Sequence, residues 1–308
     1  MGAPFEGIWS DDIPCKEQLL SHFHEYHGYP TGQYTDDTQL TIATVRSIVD
    51  NGEIVVPEIA RSISELWRHH SVIGPGGACT QAAERFLATE DCHSMGAPMG
   101  QAGNGTAMRT AALGLWFGED REQLVSTVAE ISKLTHQDPR SIAGGVVIAL
   151  AANILANDNA VDAEELCGLL SDSIRTINGE LSELIQVLPS KMEQQDCMRF
   201  IAAAGQTVEE FSAPIISPFV IPTVLASIYC VVRNRDSWTD AVTDAIQLGG
   251  DVDTLGAIVG ALVGAANGVD SIPQNLRAEV LDSEAILALG FRFHALIEQR
   301  QKQNVSDD

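Results

Sequence analysis

The spacing of apolar side chains along the chain predicts a protein built from helices. Apolar residues three and four positions apart share one helix face, and this period occurs in six segments: 38–50, 57–68, 121–134, 163–177, 219–233 and 238–248. We find no convincing segment with the alternating pattern of a half-buried strand. The pattern therefore predicts an all-α fold.

Residues that favour helix starts and loops mark the predicted boundaries. Residues typical of a first helical turn are Pro57, Asp120 and Asp138-Pro139. Glycine and proline cluster in three predicted loops, at 73–77, 96–105 and 212–222. None of these resembles a long flexible linker, so the sequence favours one domain over residues 1–300 and a polar, frayed tail at 301–308.

Residues 141–157 form an uncharged apolar stretch that requires a choice between a core helix and a membrane span. A spanning helix needs about 20 predominantly apolar residues, and this stretch is shorter and contains Asn153 and Asn157. A buried core helix is therefore predicted, with no membrane partner. The first residues lack a basic start followed by an apolar core, so no signal peptide is predicted.

A second apolar segment, 252–268, carries small residues at a regular interval. Gly256, Gly260, Gly264 and Gly268 fall every four residues, beside Ala257, Ala261 and Ala265. Glycine inside a helix costs about 1 kcal/mol relative to alanine, so the repeat needs a packing reason. We expect a central helix whose bare ridge lets a neighbouring helix approach closely.

The charge balance limits the classes of partner. The 308 residues carry 18 basic and 42 acidic side chains, a net charge of −24. This charge disfavours nucleic-acid binding through a basic surface and is compatible with a divalent-cation site. The six cysteines contain no C-x-x-C pair, as expected of reduced thiols in a cytoplasmic protein. A monomer is the expected oligomeric state.

Two acidic clusters carry the candidate chemistry. Thr35-Asp36-Asp37-Thr38 and Gly249-Gly250-Asp251-Val252-Asp253-Thr254 each precede an apolar helix. Either cluster alone is equally well explained by helix capping. Four carboxylates brought into one core would repel unless cations neutralise them, and carboxylate and hydroxyl oxygens suit Mg²⁺ or Mn²⁺. We favour a two-metal site that activates a water.

The aspartate-rich diphosphate motif of terpenoid synthases is a weaker alternative. That motif needs a third acid at Asp-Asp-x-x-Asp, where this chain has Leu40. His22, His24 and His27 superficially resemble a metal cluster, but on a helix His22 would point away from the other two. A surface patch is the favoured interpretation.

Motifs along nearly the whole chain resemble the ADP-ribosylglycohydrolase family, which includes the enzyme that reactivates ADP-ribosylated dinitrogenase reductase. They occur in family order: Gly2–Glu6, Tyr34–Thr38, Gly103–Arg109, Thr135-His136, Gly249–Thr254, Gly260, Gly264, Asn267-Gly268 and Ile272-Pro273. The resemblance implies a single-domain orthogonal helical bundle with a binuclear Mg²⁺ or Mn²⁺ centre, and release of ADP-ribose from a modified protein side chain or small acceptor.

The resemblance also implies roles for individual residues. The matched metal ligands are Thr35, Asp36, Asp37, Asp251, Asp253 and Thr254. Glu6 matches a mobile acid near the scissile bond, and either Glu6 or Asp37 is expected to handle the proton. Substrate contacts are implied for Gly100, Gln101, Ala102, Gly103 and Asn104, whose backbone N–H groups would cradle the diphosphate and ribose, and for His136.

Several expectations stay open. Asn104 between two glycines is also compatible with a left-handed turn, His136 with carbonyl capping, and Arg109 with a structural pairing to a buried acid. Members of the family usually begin with a further small-residue helix ending in Gly-Asp-Ala-x-Gly, whereas this chain begins inside that motif, so we expect an exposed apolar groove. A crystallin-like scaffold and a hydrolase of another ribosyl or phosphoryl compound are the competing functions. The acceptor linkage is not predicted.

Overall fold

The computed structural model describes residues 1–158, 160–205 and 215–306, and this part of the chain is helical, as predicted. It contains fifteen α-helices: α1 (Lys16–Ser21), α2 (Asp36–Asn51), α3 (Val56–Arg68), α4 (Gly77–Thr89), α5 (Ala107–Gly114), α6 (Arg121–Ser132), α7 (Pro139–Asn157), α8 (Ala163–Ile174), α9 (Gly179–Met192), α10 (Cys197–Ala203), α11 (Val220–Asn234), α12 (Trp238–Gln247), α13 (Val252–Asn267), α14 (Gln274–Glu279) and α15 (Ser283–Ser306). Three short 3₁₀ helices accompany them, at Ala3–Phe5, Ser10–Asp12 and Val269–Ser271. Within these ranges β structure is limited to isolated bridges, which confirms the all-α prediction.

Helix α7 lies at the centre of the core. Every residue from Ser141 to Leu155 is buried, and the helix contacts α5, α6, α8, α11 and α13. By length and composition it could cross a membrane, but 83% of its most apolar window is buried inside the protein, as predicted for a core helix. A Cβ on Gly114 would lie 1.9 Å from the carbonyl oxygen of Ala149, so α5 and α7 approach each other at backbone distance.

The predicted helix starts are confirmed by their capping contacts. The Asp120 carboxylate accepts the Gln123 N–H at 2.9 Å, and Asp138 accepts the Arg140 N–H at 3.0 Å. The predicted loop at 212–222 is wrong at its end, because α11 already begins at Val220. Pro222 fits there since the first N–H groups of a helix have no intrahelical acceptor. Residues 212–214 lie outside the described residues.

Helix α13 is the predicted glycine-rich helix, and α12 packs on part of its ridge. A Cβ on Gly256 would lie 3.6 Å from Ile246, and one on Gly260 would lie 3.5 Å from Val242. The Trp238 indole N–H donates to the Gly260 carbonyl oxygen at 3.2 Å. Close approach is confirmed at these two glycines, whereas a Cβ on Gly264 would meet nothing within 4 Å.

The last described helix includes residues that the sequence assigned to a polar tail. Helix α15 runs from Ser283 to Ser306 and packs against α2. Residues 301–306 continue its backbone, so the helix extends beyond the predicted boundary at residue 300.

Candidate metal centre

Several non-helical segments meet at Gly250, directly before α13. Gly250 forms an antiparallel bridge with Ile8 and a parallel bridge with Ile216. Its φ of +88° favours glycine, and a Cβ there would lie 2.1 Å from the Ile216 carbonyl oxygen. Glycine is therefore required for the N-terminal loop and the 215–219 segment to converge beside Asp251.

The two predicted acidic clusters meet at the side chain of Thr35. Its hydroxyl donates to Asp37 Oδ2 at 2.8 Å and lies 3.3 Å from Asp253 Oδ2, on a residue 218 positions away. The Asp36 N–H, at the start of α2, donates to the Ile73 carbonyl oxygen at 2.8 Å. The starts of α2 and α13 therefore present their carboxylates to one another.

Burial and mutual repulsion make these carboxylates costly to ionise. Asp36, Asp37 and Asp251 are 5%, 3% and 8% exposed. Burial, reinforced by Asp37 and Asp253, raises the pKa of Asp36 to about 9. Burial and Asp253 raise the pKa of Asp37 to about 7, and the same causes raise that of Asp251 well above its usual value. Without a compensating cation the cluster holds extra protons near neutral pH.

The donor set fits a hard divalent cation. Among the described residues, Asp37 Oδ1 and Asp253 Oδ1 are buried without a hydrogen-bond partner. One ligand oxygen each from Glu6, Asp251 and Asp253 lie within 4.8 Å of one another. Thr254 is buried, and its hydroxyl opposes the rise in the pKa of Asp37. Carboxylate oxygens at the spacing of Glu6, Asp251 and Asp253, and the partnerless buried oxygens of Asp37 and Asp253 among the described residues, are both what a Mg²⁺-type ion would satisfy.

Glu6 differs from the aspartates because it is solvent-exposed. It follows the short 3₁₀ helix Ala3–Phe5 and faces Asp251 and Asp253 from the open side. Partial burial, then the charge of Asp253, raises its pKa. Asp37, by contrast, lies at the base of the cluster. Of the two acids expected to handle a proton, Glu6 is therefore the accessible one.

The loop Gly100–Asn104 runs beside this cluster and is anchored at both ends. The Gly100 N–H donates to Asp138 Oδ2 at 2.8 Å, and the Asn104 N–H donates to the Pro218 carbonyl oxygen at 3.1 Å. The N–H groups of Gln101, Ala102 and Gly103 have no acceptor among the described residues. Of the five backbone N–H groups expected to contact the diphosphate and ribose, these three adjacent ones are therefore available to a ligand.

The polar side chains of this loop, Gln101 and Asn104, hydrogen-bond to other side chains of the protein. The Gln101 amide pairs reciprocally with that of Gln81, at 3.2 and 3.4 Å. Ala102 is buried, and its carbonyl oxygen accepts the Val220 N–H at 3.0 Å. The Asn104 amide is buried and donates to Asp251 Oδ2 at 2.5 Å. A ligand would therefore meet the loop through its backbone.

Asp138 is a site-positioning residue that the sequence marked only as a helix cap. Its hydrogen bonds from Arg140, with that of the Gly100 N–H, lower its pKa to about 2. Arg140 contacts both carboxylate oxygens, at 2.9 and 2.8 Å. The fixed negative charge anchors Gly100 to α7. The sequence shows that Asp138 and Arg140 are close enough to pair, but it does not show that Asp138 also accepts the Gly100 N–H.

His136 lies beneath the loop in this conformation. The residue is 2% exposed, and a Cβ on Gly105 would lie 2.8 Å from its Cε1. Burial, then the charge of Arg109, lowers the pKa of His136 to about 3. Its ring is therefore neutral and covered, and its contact with a ligand stays a prediction.

Arg109 is buried, and among the described residues its guanidinium has no bond to the buried acid that the sequence allowed as a partner. Its guanidinium donates to the carbonyl oxygens of Gly105 and Ile131. It therefore holds the end of the substrate loop through backbone carbonyls rather than through a carboxylate.

The three histidines after α1 lie in a loop, not on a helix. Their presumed helical register is wrong, because α1 ends at Ser21 and the rings of His22 and His24 are 5.0 Å apart. Tyr26 and Tyr29 then stack at 5.7 Å across a tight turn. Burial, then the charges of Glu6 and Asp253, raise the pKa of Tyr26, so this residue borders the acidic cluster, a position the sequence gave no reason to expect.

An apolar cavity of about 400 Å³ borders the other side of the cluster. Asp37 and Asp253 line it together with apolar side chains, among them Phe23, Trp238 and Leu276. Because apolar walls solvate charge poorly, the cavity contributes to the raised pKa values of the buried aspartates.

A family model and several curated proteins match most of this chain. A family model described as ADP-ribosylglycohydrolase matches residues 1–303. Mouse (Mus musculus) ADP-ribosylhydrolase ARH3 is 23% identical, covering 97% of this chain and 88% of that protein. The ADP-ribosyl-(dinitrogen reductase) glycohydrolase of Rhodospirillum rubrum is 27% identical, covering 79% of this chain and 71% of that protein.

A solved structure has the same fold. The ADP-ribosylglycohydrolase-related protein complex superposes with a TM-score of 0.74 at 23% identity, covering 96% of this chain and 92% of that chain.

Proposed function

The chain belongs to the ADP-ribosylglycohydrolase family, and from that premise we propose that it is a metal-dependent hydrolase of an ADP-ribosyl glycosidic bond. The proposed products are free ADP-ribose and the unmodified acceptor, either a protein side chain or a small molecule. The observation that carries the proposal is the buried carboxylate cluster. Two of its oxygens, and three N–H groups of the loop beside it, have no hydrogen-bond partner in the part of the chain that the structure describes.

We assign the metal ligands to the two helix starts. Thr35, Asp36 and Asp37 would hold ions from α2, and Asp251, Asp253 and Thr254 would hold them from α13. Two Mg²⁺ or Mn²⁺ ions are proposed, because oxygen ligands suit these cations and several buried carboxylates need more than one positive charge. A bound divalent cation supplies charge neutralisation and lowers the pKa of coordinated water.

The chain's own residues divide the remaining tasks. Breaking the bond at the anomeric carbon develops oxocarbenium-like positive charge on the ribose, which the surrounding carboxylates stabilise. Glu6, the exposed acid facing the cluster, exchanges the proton with the attacking water or the leaving group. Its raised pKa brings that exchange closer to neutral pH. Asp37 remains at the base as a ligand.

Substrate binding is assigned to the loop Gly100–Asn104. The adjacent N–H groups of Gln101, Ala102 and Gly103 would donate to diphosphate oxygens, which are strong acceptors. Asp138 and Pro218 hold the loop ends, so these donors are preorganised. His136 supports the loop from below. The described cysteines are all free, which supports the proposal of a reducing, cytoplasmic location, and we propose that the protein acts as a monomer.

The proposal is tested by measuring ADP-ribose release from arginine-linked and serine-linked ADP-ribosyl peptides. Reactions contain Mg²⁺, Mn²⁺ or EDTA, and Asp251→Asn is the inactive control. Release that requires the metal and is lost in the variant supports the proposal and identifies the linkage. No release from either peptide by folded, metal-binding protein contradicts protein de-ADP-ribosylation and favours a small ribosyl substrate.

A further inference from the structure

The side-chain nitrogen of Asn104 is committed to protein partners. Asn104 is 7% exposed, and its Nδ2 donates to Asp251 Oδ2 at 2.5 Å and to Thr223 Oγ1 at 3.0 Å. The Thr223 hydroxyl in turn donates to the Phe219 carbonyl oxygen at 3.0 Å, so its oxygen is left to accept from Asn104. Since an amide nitrogen carries two hydrogens, both are used.

The backbone of the same residue joins the substrate loop to a helix. The Asn104 N–H donates to Pro218, and its carbonyl oxygen accepts the Met108 N–H at 3.1 Å, in the first turn of α5. Asp251 is the residue that precedes α13. Asn104 is therefore a rigid bridge between the end of the loop and one carboxylate of the metal centre.

We propose that Asn104 is a positioning residue that couples metal binding to ADP-ribose binding. The bridge restricts Asp251 to one orientation, and the metal-bound orientation of Asp251 in turn fixes Asn104 and the N–H groups immediately before it. Coupling of two binding events is reciprocal, so each ligand strengthens the other by the same factor. The coupling rests on the proposed function, whereas the positioning of Asp251 does not.

The magnitude follows from the hydrogen bond to a ligating carboxylate. Residues that orient a metal ligand without touching the metal typically contribute 10–100-fold to metal affinity. Asn104→Ala removes the donor to Asp251 and also leaves the Thr223 oxygen without the hydrogen bond that it accepts from Asn104. Thr223→Val removes the second Asn104 contact together with the hydroxyl's own bond to Phe219, but it keeps the volume and the contact to Asp251, so it should have a smaller effect on Mn²⁺ binding in the same direction.

The experiment is calorimetric titration of the full chain with Mn²⁺, and with ADP-ribose in the presence of Mn²⁺ or EDTA. We expect Asn104→Ala to weaken Mn²⁺ binding 10–100-fold and to bring the ratio of the two ADP-ribose dissociation constants close to one. Thr223→Val should weaken Mn²⁺ binding less than tenfold. Neither titration depends on catalytic turnover.

Asn153→Ala is the matched control. Asn153 is also buried and donates to the carbonyl oxygens of Gly114 and Gly118, at 3.0 and 2.7 Å. It lies near the end of α7 opposite to Asp138, which anchors the substrate loop. This variant loses two internal hydrogen bonds, so its thermal stability should fall while its Mn²⁺ affinity stays at the wild-type value. An equal loss of Mn²⁺ affinity in Asn153→Ala would attribute the Asn104 effect to general destabilisation and overturn the proposal.

Two further outcomes separate the proposal from the function on which it rests. Unchanged Mn²⁺ affinity in Asn104→Ala, with ADP-ribose binding weakened equally in Mn²⁺ and EDTA, would mean direct ligand contact and overturn the proposal. A wild-type chain that binds Mn²⁺ but not ADP-ribose would overturn the proposed function and the coupling together. The Mn²⁺ affinity of Asn104→Ala would then still decide whether Asn104 positions Asp251.

Discussion

Replacing Asp37 by asparagine should stabilise the metal-free protein at alkaline pH. The pKa of Asp37 is raised from 3.8 to about 7 by burial and by Asp253. In metal-free protein at pH 8 the carboxylate is ionised in both states, so about three pH units at 1.36 kcal/mol each correspond to a cost of about 4 kcal/mol. The substitution also weakens the hydrogen bond from Thr35, which costs about 1 kcal/mol of stability. The free energy of unfolding should therefore rise by about 3 kcal/mol in the variant.

The sign of the pH dependence follows from proton linkage. Between pH 3.8 and about 7 the folded state holds a proton on Asp37 that the unfolded state has released, so this group makes stability fall as pH rises through that window. At pH 4.5 the folded carboxyl is largely protonated, and the cost shrinks to about 1 kcal/mol. The advantage of Asp37→Asn should therefore nearly vanish there.

The assay is thermal unfolding of both proteins in EDTA at pH 8 and pH 4.5. A gain of about 3 kcal/mol corresponds to about 6 °C in a chain of this size. Saturating Mg²⁺ should reverse the order at pH 8, because a cation that binds only the folded state stabilises it. A variant less stable than wild type in EDTA at pH 8, or a gain independent of pH, would refute the reasoning.

Asp138→Asn is the control, because this substitution should destabilise the protein at pH 8 whereas Asp37→Asn should stabilise it. Hydrogen bonds from Arg140 lower the pKa of Asp138 to about 2, so its stabilisation is present above pH 3.8 and is lost as pH falls toward 2. The variant should lower the unfolding temperature at pH 8, and the difference should narrow on acidification.

Three further predictions concern activity and packing. Asp253→Asn should weaken Mn²⁺ binding and reduce ADP-ribose release at least 100-fold, and activity that persists at full Mn²⁺ occupancy would contradict a ligand role. Glu6→Gln should lower kcat by about 10²–10⁴ while calorimetry still detects Mn²⁺ binding; a parallel loss of Mn²⁺ affinity would make Glu6 a ligand instead. Gly250→Ala, whose Cβ would lie 2.1 Å from a carbonyl oxygen, should lower the free energy of urea unfolding by at least about 3 kcal/mol. Gly264→Ala, whose Cβ would have nothing within 4 Å, should raise that free energy by up to about 1 kcal/mol. Equal effects of the two substitutions would contradict the described packing.

The helices were predictable because their determinants are local. The uncharged run at 141–157 became the buried helix α7, and Asp120 and Asp138 cap the helices that follow them. The error at Val220–Pro222 has the same origin, because proline breaks a helix interior but is tolerated in its first turn. Local chemistry identified the element and missed the position of the proline within it.

The site was predictable in its residue types but not in its connections. The Asp36-Asp37 and Asp251-x-Asp253 patterns indicated a cation site before any contact was known. The bridges of Gly250 to Ile8 and Ile216 have no periodicity to reveal them. Asn104 and Asp251 are 147 positions apart, and only the three-dimensional arrangement shows that the amide is committed to that carboxylate.

The long-range assembly of this centre has a kinetic consequence. Thr35 and Asp253 are joined across 218 positions, and closing a flexible loop of that length costs about 5 kcal/mol of chain entropy. Such contacts form late, after nearby helices have provided compensating burial. A chain emerging during synthesis therefore has no complete set of the proposed metal ligands until residue 254 of 308 has been added. On this proposed assignment, cation binding would mark finished folding, since fragments from either half supply only part of the ligands.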